Sequence, residues 1–326
     1  MSDQPRSPGK VICAGILVAD IFVPPLPELP AAGALLATED FMLETGGCAA
    51  NVGVGLARLG ADASVCGLVG NDVFADFLRN SLEARGLDVT MVRQIEDLGT
   101  SKTVVLTVRG EDRRFLHTFG ANAAFSASDM PVERLHGAHL LYLGGYLVLP
   151  GLEPDATAAS MAAARARGMR TVLDVVVPKG SGVSLDALAP VLPHIDAFLP
   201  NDEEAEALTG LREPRAQAAR FLELGCGSVV ITQGSRGTLM AEGDSVWEAG
   251  VYPIDFVDGS GSGDAFAAGY ILGMLCGWKP EQRLRFASAV GASACTRLGC
   301  TTGVFTREEA DRFVASRALD VRVSTL

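Results

Sequence analysis

A glycine-rich segment that ends in an acid carries the clearest chemical signal in this sequence. Residues 258–264 read Asp-Gly-Ser-Gly-Ser-Gly-Asp, and an apolar run typical of a buried helix follows at 265–272. Glycines allow the backbone to approach a ligand closely, and the N-terminus of a helix adds unpaired N–H groups and a positive dipole end. The segment 258–263, called the anion loop below, therefore predicts a phosphate site.

Asp264, directly after that loop, needs a separate explanation because its negative charge would repel a bound phosphate. A carboxylate at this point can accept the proton of a hydroxyl group that attacks the phosphate. An ordinary acid stabilised by the helix dipole is the alternative, but it does not account for the glycines beside it. We therefore interpret Asp264 as a general base. The loop N–H groups that would receive the negative charge of the transferred phosphoryl group are those of Gly261, Ser262 and Gly263.

A second glycine-containing segment, around a Gly-Gly pair, could hold a ligand with several hydroxyl groups. Gly46 and Gly47 permit close backbone approach, and Asn51 presents both a hydrogen-bond donor and an acceptor. Vicinal hydroxyl groups of a sugar need such two-way partners. Asp20 ends the first strand-like run, which begins at Gly15, and a carboxylate there could accept two hydrogen bonds. A turn or cap role fits the position of Asp20 equally well.

The composition fits a chain that can bury a large core. Of 326 residues, 48% are hydrophobic and 20% are charged, which predicts one large core, alone or with an appendage. The net charge is −12, and the 27 Lys and Arg residues are scattered along the chain. This distribution disfavours nucleic acid and anionic membranes as partners, and it favours small neutral or metal-complexed ligands.

The cysteine pattern and the N-terminus predict a cytoplasmic protein. The seven cysteines form an odd set without a C-x-x-C pair, and several lie in apolar stretches, so we expect reduced and mostly buried thiols. Residues 1–10 are polar and lack the apolar core of a signal peptide. No later segment is long and apolar enough to predict a membrane span.

Apolar runs without alternation predict strands that are covered on both faces of one sheet. Such runs occupy 11–14, 140–143, 171–175, 197–199 and 229–232. Stretches with helical spacing occupy 155–167, 202–209 and 214–224. Strands that alternate with helices predict an α/β fold with a parallel sheet and right-handed crossovers. Since no linker separates two units, we interpret residues 1–326 as one domain.

Two segments break this pattern, at 23–45 and 102–119. The first has four prolines in its first half, and the second reads as two β runs, 103–108 and 113–117, around a turn at 110–112. We expect these segments to form a small β-sheet lid inserted into the first half of the domain. A lid suits phosphoryl transfer, because water must be kept away from the phosphate donor.

Four motifs resemble, in order, those of the ribokinase/PfkB family of carbohydrate kinases. Residues 46–53 resemble the first signature of the family, and residues 258–264 resemble the second. Between them, 201–204 resemble its Asn-x-x-Glu motif, and 231–237 resemble its Thr-x-Gly-x-x-Gly turn, which contacts the nucleotide. One glycine motif is weak evidence, but four motifs in order over nearly the whole chain are specific.

The resemblance implies a ribokinase-like, doubly wound, mostly parallel sheet flanked by helices, with ATP as phosphate donor and Mg²⁺ as cofactor. The implied contacts to substrate hydroxyls are made by Asp20, Gly46, Gly47 and Asn51. The implied contacts to the nucleotide are made by Asn201, Glu204, Thr232, Gly234 and Gly237. Asn201 and Glu204 would also position Mg²⁺ through its water ligands. Asn201 fits a helix cap as well, and both roles are compatible.

The chain departs from the family pattern at two loop positions. Gly259 stands where the family usually has Thr, and Ser262 stands where it has Ala. Neither change removes a backbone N–H group or the base, so we expect the chemistry to be retained. The family often holds a monovalent cation nearby. For this chain the implied candidate K⁺ site comprises Asp258, Ser260, Ala294, Gly299 and Gly303.

These features together predict ATP-dependent phosphorylation of a primary hydroxyl of a small, unphosphorylated sugar. A nucleoside is the alternative acceptor, because adenosine kinases share these motifs and aromatic residues could line the cleft. The candidates for this lining are Phe22, Phe41 and Phe119. A phosphorylated sugar is disfavoured, since no basic cluster accompanies Asp20 or Asn51. The remaining alternative is a sugar- or nucleotide-binding sensor without turnover. The resemblance also implies a homodimer through the lid.

Overall fold

The computed structural model describes residues 9–111, 113–178, 180 and 182–326. Residues 1–8 of the polar N-terminus and Asp112 of the predicted lid turn lie outside the described residues. The strands and helices of the described part are, in chain order, β1 (Lys10–Gly15), β2 (Val18–Phe22), β3 (Met42–Gly46), α1 (Cys48–Arg58), β4 (Asp62–Val69), α2 (Val73–Ala84), β5 (Asp88–Gln94), β6 (Lys102–Leu106), β7 (Arg114–Thr118), β8 (Ala138–Tyr146), α3 (Pro154–Ala166), β9 (Arg170–Val175), β10 (Ala197–Phe198), α4 (Asp202–Thr209), α5 (Pro214–Glu223), β11 (Val229–Thr232), β12 (Thr238–Glu242), β13 (Ser245–Ala249), α6 (Ser262–Leu275), α7 (Pro280–Ala294), α8 (Arg307–Ser316) and β14 (Val321–Thr325).

The main sheet has ten strands in the order β14-β13-β12-β11-β10-β9-β8-β1-β4-β5. From β11 to β5 the neighbouring strands pair in parallel, whereas β12, β13 and β14 form an antiparallel edge. The predicted, mostly parallel α/β sheet is therefore confirmed. The five predicted strand runs correspond to β1, β8, β9, β10 and β11, and the three helical stretches correspond to α3, α4 and α5.

Both faces of the main sheet are covered, which explains the unbroken apolar runs. In β1, Val11 and Cys13 belong to one buried cluster, and Ile12 and Ala14 belong to a second cluster on the opposite face. Helices α1, α2, α6, α7 and α8 contribute to the first cluster, and α3, α4 and α5 contribute to the second. Alternate side chains of one strand thus enter two different cores.

A separate four-stranded sheet, ordered β3-β2-β6-β7, forms the predicted lid. Strand β2 pairs in parallel with β6, and the two outer pairings are antiparallel. The sequence placed Asp20 at the end of the first strand, but β1 ends at Gly15 and Asp20 lies inside β2. That prediction was wrong because a short break at Ile16 and Leu17 moves the chain from the main sheet into the lid.

The proline-rich stretch connects lid strands β2 and β3 and does not itself form a strand. Among residues 23–41 the structure shows a single β-bridge, from Leu26 to Val108. Proline lacks the N–H group that a strand interior needs, so this stretch connects the strands without joining them. The described residues include no helix that combines the length and the apolar character needed to cross a bilayer.

Candidate active site

The anion loop turns sharply just before α6. Gly261, the residue before the helix, has a φ of 71°, which is the left-handed region that favours glycine. A Cβ atom on Gly261 would lie 2.1 Å from the carbonyl oxygen of Cys300, so no larger residue fits there. A Cβ atom on Gly263 would meet nothing within 4 Å. Gly261 is thus required by the fold, whereas Gly263 leaves open space in front of the backbone.

The N–H groups of the loop are not equally available to an anion. The Ser262 N–H donates to the carbonyl oxygen of Gly259 at 3.3 Å, and the Ser262 hydroxyl donates to the same oxygen at 3.0 Å. No described residue accepts a hydrogen bond from the N–H groups of Gly261 and Gly263. Of the three N–H groups selected from the sequence, those two are the ones that remain ready for a phosphoryl group.

Asp264, the third residue of α6, contacts the glycine-pair segment. The Asn51 side chain donates from Nδ2 to Asp264 Oδ2 at 2.8 Å. Burial raises the pKa of Asp264, while hydrogen bonds from Asn51 and Cys48 oppose this rise. A raised pKa makes a carboxylate a stronger base. The structure therefore brings together the predicted base and a predicted substrate residue.

Asp20 lies in the same cleft, on the lid side. Asp20 is 9% exposed, and a Cβ atom on Gly46 would lie 1.8 Å from its Oδ2 atom. Burial raises the pKa of Asp20 to about 6, a hydrogen bond from Thr103 lowers it, and the charges of Asp264 and Glu44 raise it. The Asp20 and Asp264 carboxylates are therefore close enough for their charges to interact. Gly46 is needed because the carboxylate of Asp20 occupies the room for a side chain.

The structure explains the residue types at positions 47 and 51 in two different ways. Gly47 has a φ of 89°, and a Cβ atom on it would lie 2.4 Å from the carbonyl oxygen of Ile16. Asn51 is 5% exposed, and its Oδ1 atom is buried with no hydrogen-bond partner among the described residues. A buried amide oxygen without a donor is costly, so this atom is suited to accept a hydrogen bond from a substrate hydroxyl.

A further acid, Asp174, lies close to Asp264 and was not identified from the sequence. Asp174, near the end of β9, accepts a hydrogen bond from the Tyr142 hydroxyl at 2.8 Å. Potential ligand atoms of Asp174, Cys48 and Asp264 all lie within 4.8 Å of one another. Burial raises the pKa of Asp174 well above its ordinary value, and the charges of Glu204 and Asp264 add to the rise. Its position at the carboxyl end of a predicted parallel strand was the signal that could have identified it.

Asn201 and Glu204 cap the start of α4 reciprocally. Asn201 Oδ1 accepts a hydrogen bond from the Glu204 N–H at 2.8 Å, and Glu204 Oε2 accepts one from the Asn201 N–H at 2.9 Å. The cap role predicted for Asn201 is confirmed. Burial raises the pKa of Glu204 to about 7, backbone hydrogen bonds from Asn201 and Val177 lower it, and the Asp264 charge raises it. The pKa of Glu204 therefore also depends on the charge of Asp264.

The predicted nucleotide turn lies beside this cap. Thr232 ends β11 and forms a parallel β-bridge with Asn201. Gly234 has a φ of 54° and Gly237 a φ of 101°, and a Cβ atom on Gly237 would lie 2.1 Å from the carbonyl oxygen of Ala249. Both glycines thus have backbone conformations that favour glycine. The structure brings Thr232 and Asn201 together at the carboxyl ends of adjacent strands.

Asp258 has one satisfied oxygen and one unsatisfied oxygen. The residue is 6% exposed, and Oδ1 accepts hydrogen bonds from the N–H and the hydroxyl of Ser260, each at 3.2 Å. Oδ2 is buried without a hydrogen-bond partner in the described part of the chain. Nearby, a Cβ atom on Gly303 would lie 3.0 Å from the Ala294 carbonyl oxygen. An unsatisfied carboxylate oxygen in a loop region with close carbonyl groups fits the implied cation site.

Arg113 also contacts the anion loop, and it was not identified as a site residue from the sequence. It directly precedes β7 of the lid, and its Nη1 atom lies 2.7 Å from Asp258 Oδ1. The same guanidinium donates to the Ser260 hydroxyl and lies over the Phe115 ring, 5.8 Å from the ring centroid. No sequence motif marks an arginine in a lid turn. Only the folded chain shows that it reaches the anion loop.

A cavity of about 1230 Å³ lies elsewhere, beside β5 and α3. Its lining includes Lys10 paired with Asp88 at 3.4 Å, and Arg93 paired with Asp129. None of the predicted site residues lines it. The region around Asp264 differs from this cavity because it combines loop N–H groups without acceptors, the unpartnered Oδ1 atom of Asn51 and the raised pKa of Asp264.

Comparisons with known proteins identify one family. Residues 9–307 match the pfkB family of carbohydrate kinases. The chain is 25% identical over 296 residues to the ribokinase of Haemophilus influenzae, covering 89% of this chain and 93% of that protein. It is 30% identical over 281 residues to the adenosine kinase of Saccharomyces cerevisiae, covering 81% of this chain and 82% of that protein.

The fold also matches a solved structure. The ribokinase of Arabidopsis thaliana, complexed with ribose and ATP, superposes with a TM-score of 0.80 at 23% identity, covering 94% of this chain and 99% of that one. This likeness supports the doubly wound fold and the lid. Because the family match extends over most of the chain, the protein belongs to the pfkB family of carbohydrate kinases.

Proposed function

We propose that the protein transfers the γ-phosphoryl group of ATP to a hydroxyl group of a small, unphosphorylated sugar. The observation that carries the proposal is the contact between Asp264 and Asn51, at 2.8 Å. It joins a base of raised pKa to the amide nitrogen of a residue whose side-chain oxygen is buried and unsatisfied. The anion loop directly precedes this base, so one cleft can hold a hydroxyl and a phosphate.

The chemistry follows from these positions. Asp20 and the Oδ1 atom of Asn51 accept hydrogen bonds from the hydroxyl groups of the sugar and orient it. Asp264 accepts the proton of the attacking hydroxyl as its oxygen bonds to the γ-phosphorus atom, and the bond to the bridging oxygen breaks to release ADP. The N–H groups of Gly261 and Gly263 stabilise the negative charge on the transferred group.

Asn201 and Glu204 are suited to hold Mg²⁺ through its water ligands, and Thr232, Gly234 and Gly237 to contact the nucleotide. When bound, Mg²⁺ would neutralise phosphate charge in a cleft that is already rich in carboxylates. The pKa of Glu204, raised to about 7 by burial, would fall beside a bound Mg²⁺, because a nearby cation favours the charged form.

Replacing Glu204 with Gln should raise the Mg²⁺ concentration needed for half-maximal activity by about tenfold, because the variant keeps the shape but loses the charge. Glu206→Gln on the same helix is the matched control, since Glu206 is exposed and pairs with Arg212. Mg²⁺ titrations of the initial rate measure both variants. Equal titration curves for Glu204→Gln and the wild type would assign Glu204 to capping alone.

The candidate K⁺ site is proposed at the unsatisfied Oδ2 atom of Asp258. The residues that would surround the ion are Ser260, Ala294, Gly299 and Gly303. The ion would satisfy a buried charge next to the anion loop and so stabilise the loop. Titration of activity with KCl in a sodium-free and potassium-free buffer tests this site.

The choice of acceptor rests on charge and on the aromatic residues. Asp20 and Asp264 make the acceptor side negative, which disfavours a phosphorylated sugar. Phe22 is buried in a small lid cluster with Cys300, whereas Phe41 and Phe119 are more than 40% exposed. A nucleoside is the second candidate, supported by the 30% identity to the adenosine kinase.

Phosphate transfer assays with ribose, fructose and adenosine, each with ATP and Mg²⁺, test the proposal directly. We expect turnover with a free sugar. Turnover with adenosine alone would favour the nucleoside alternative. Binding of sugar and ATP in thermal-shift measurements without any product would support the sensor alternative, since a ligand at 100 times its Kd adds about 2.7 kcal/mol to stability.

We also propose a homodimer through the lid. Strand β7 is exposed along its length, and Phe115 and Leu116 are 58% and 62% exposed. Exposed apolar side chains on an edge strand favour pairing with another copy. Leu116→Lys should shift the protein to monomer in light scattering at micromolar concentration, whereas Val73→Lys on α2 should not. A monomeric wild type would contradict the dimer.

Two broader proposals concern the whole chain. The family match over residues 9–307 supports a single kinase domain with an inserted lid. The seven cysteines are free, and four of them are buried. Free thiols are typical of a reducing compartment, which supports a cytoplasmic location.

A further inference from the structure

Arg113 connects the lid to the anion loop by two hydrogen bonds. Its guanidinium contacts Asp258 Oδ1 at 2.7 Å and also donates to the Ser260 hydroxyl. Asp258 is 6% exposed, while the Arg113 side chain is 30% exposed. A nearly buried carboxylate that faces a cation depends strongly on it, because an uncompensated charge in such a place is costly.

The same carboxylate oxygen shapes the loop. Asp258 Oδ1 accepts hydrogen bonds from the N–H and hydroxyl of Ser260, so Arg113 binds both ends of this turn. Ser260 directly precedes Gly261, whose N–H group has no acceptor among the described residues and is one of the two that we propose to bind the phosphoryl group. A shift of Ser260 therefore changes the direction of the Gly261 N–H. Hydrogen bonds to a transition state lose much of their effect when the donor is misdirected.

Arg113 and Asp20 are linked through the strands of the lid sheet. Strand β2, which contains Asp20, pairs with β6, and β6 pairs with β7, which begins directly after Arg113. A sugar bound to Asp20 and to Asn51 of the main domain would hold the lid against the main domain. The same lid position keeps the Arg113 guanidinium on the anion loop.

We propose that Arg113 is a positioning residue that couples closure of the lid over the acceptor to the alignment of the anion loop. Transfer to an acceptor then uses an aligned loop, whereas ATP hydrolysis without an acceptor does not benefit from Arg113. This inference rests on the proposed function, because it requires an acceptor that bridges the lid and the main domain.

The test compares phosphate transfer with acceptor-independent ATP hydrolysis in Arg113→Ala, Arg113→Lys and the control Arg109→Ala. Arg109 is exposed on the same lid, and its backbone N–H bond to Leu26 survives the change to Ala. Arg113→Ala should lower kcat for transfer by about tenfold or more, which equals about 1.4 kcal/mol. Its acceptor-independent hydrolysis should stay within about twofold of the wild type.

Arg113→Lys should recover part of the transfer rate because it retains the charge. Arg109→Ala should behave like the wild type. Equal losses of transfer and hydrolysis in Arg113→Ala would reduce Arg113 to a structural ion pair and overturn the proposal, as would equal losses in Arg109→Ala. Unchanged transfer in Arg113→Ala would also overturn it. Transfer by the wild type to any sugar or nucleoside tests the proposed function separately, so the two failures are distinguishable.

Discussion

Replacing Asp264 with Asn is expected to lower kcat by about 10²-fold or more, the usual loss when a general base is removed. The amide cannot accept the proton of the attacking hydroxyl. It keeps the size of the side chain, and one oxygen can still accept the hydrogen bond from Asn51. The KM for ATP should change little or fall slightly, because the change removes a negative charge beside the phosphate site. Steady-state kinetics with the identified acceptor measure both quantities.

Asp174→Asn is the matched comparison for this prediction. Asp174 and Asp264 lie in the same group of potential ligand atoms, within 4.8 Å. Burial raises the pKa of Asp174 well above its ordinary value, which favours the neutral form that an amide resembles. We expect a loss below about tenfold for this variant. If Asp264→Asn keeps more than about half of the wild-type kcat, Asp264 is not the base and the sensor alternative must be reconsidered.

Replacing Asp20 with Ala should raise the KM for the acceptor by about 10²-fold, because two hydrogen bonds to a charged group are lost. The KM for ATP should stay within about twofold, since Asp20 lies in strand β2 of the lid, where we propose that the acceptor binds. Calorimetric titration of both ligands into the variant measures the same difference. Equal weakening of both ligands in a folded variant would remove Asp20 from the acceptor site.

Gly46→Ala provides a second, steric way to disturb the same carboxylate. The new Cβ atom would lie 1.8 Å from Asp20 Oδ2, so the carboxylate must move. We expect a rise in the acceptor KM similar to that of Asp20→Ala. In the double variant the clash is relieved, and the second change should cost little more than the first. Fully additive losses would show that Gly46 acts independently of Asp20.

The sequence was sufficient for features that depend on local structure. Strand β11 was located at its observed bounds, 229–232, because a strand covered on both faces is a continuous apolar run. The turn before α6 could also be recognised, since the φ of 71° at Gly261 lies in the region that glycine adopts most readily. The family followed from four such local motifs in order, and the match over residues 9–307 confirmed it.

The position of Asp20 shows where local pattern fails. Residues 15–20 were interpreted as part of the first strand, yet the chain leaves β1 after Gly15 and enters the lid. Pairing decides this, because β2 bonds to β3 and β6, both of which lie later in the chain. A sequence pattern states that a strand forms but not which sheet it joins.

The sequence by itself therefore determined the type of chemistry, through the glycine loop, the acid that follows it and the asparagine and carboxylate candidates. Only the tertiary structure decided which of these groups meet. Asn51 and Asp264 are 213 positions apart, and Arg113 and Asp258 are 145 apart. The raised pKa values of Asp20 and Glu204 arise from burial and from the shared charge of Asp264. Burial and the proximity of like charges are properties of packing in space, which no local run of residues encodes.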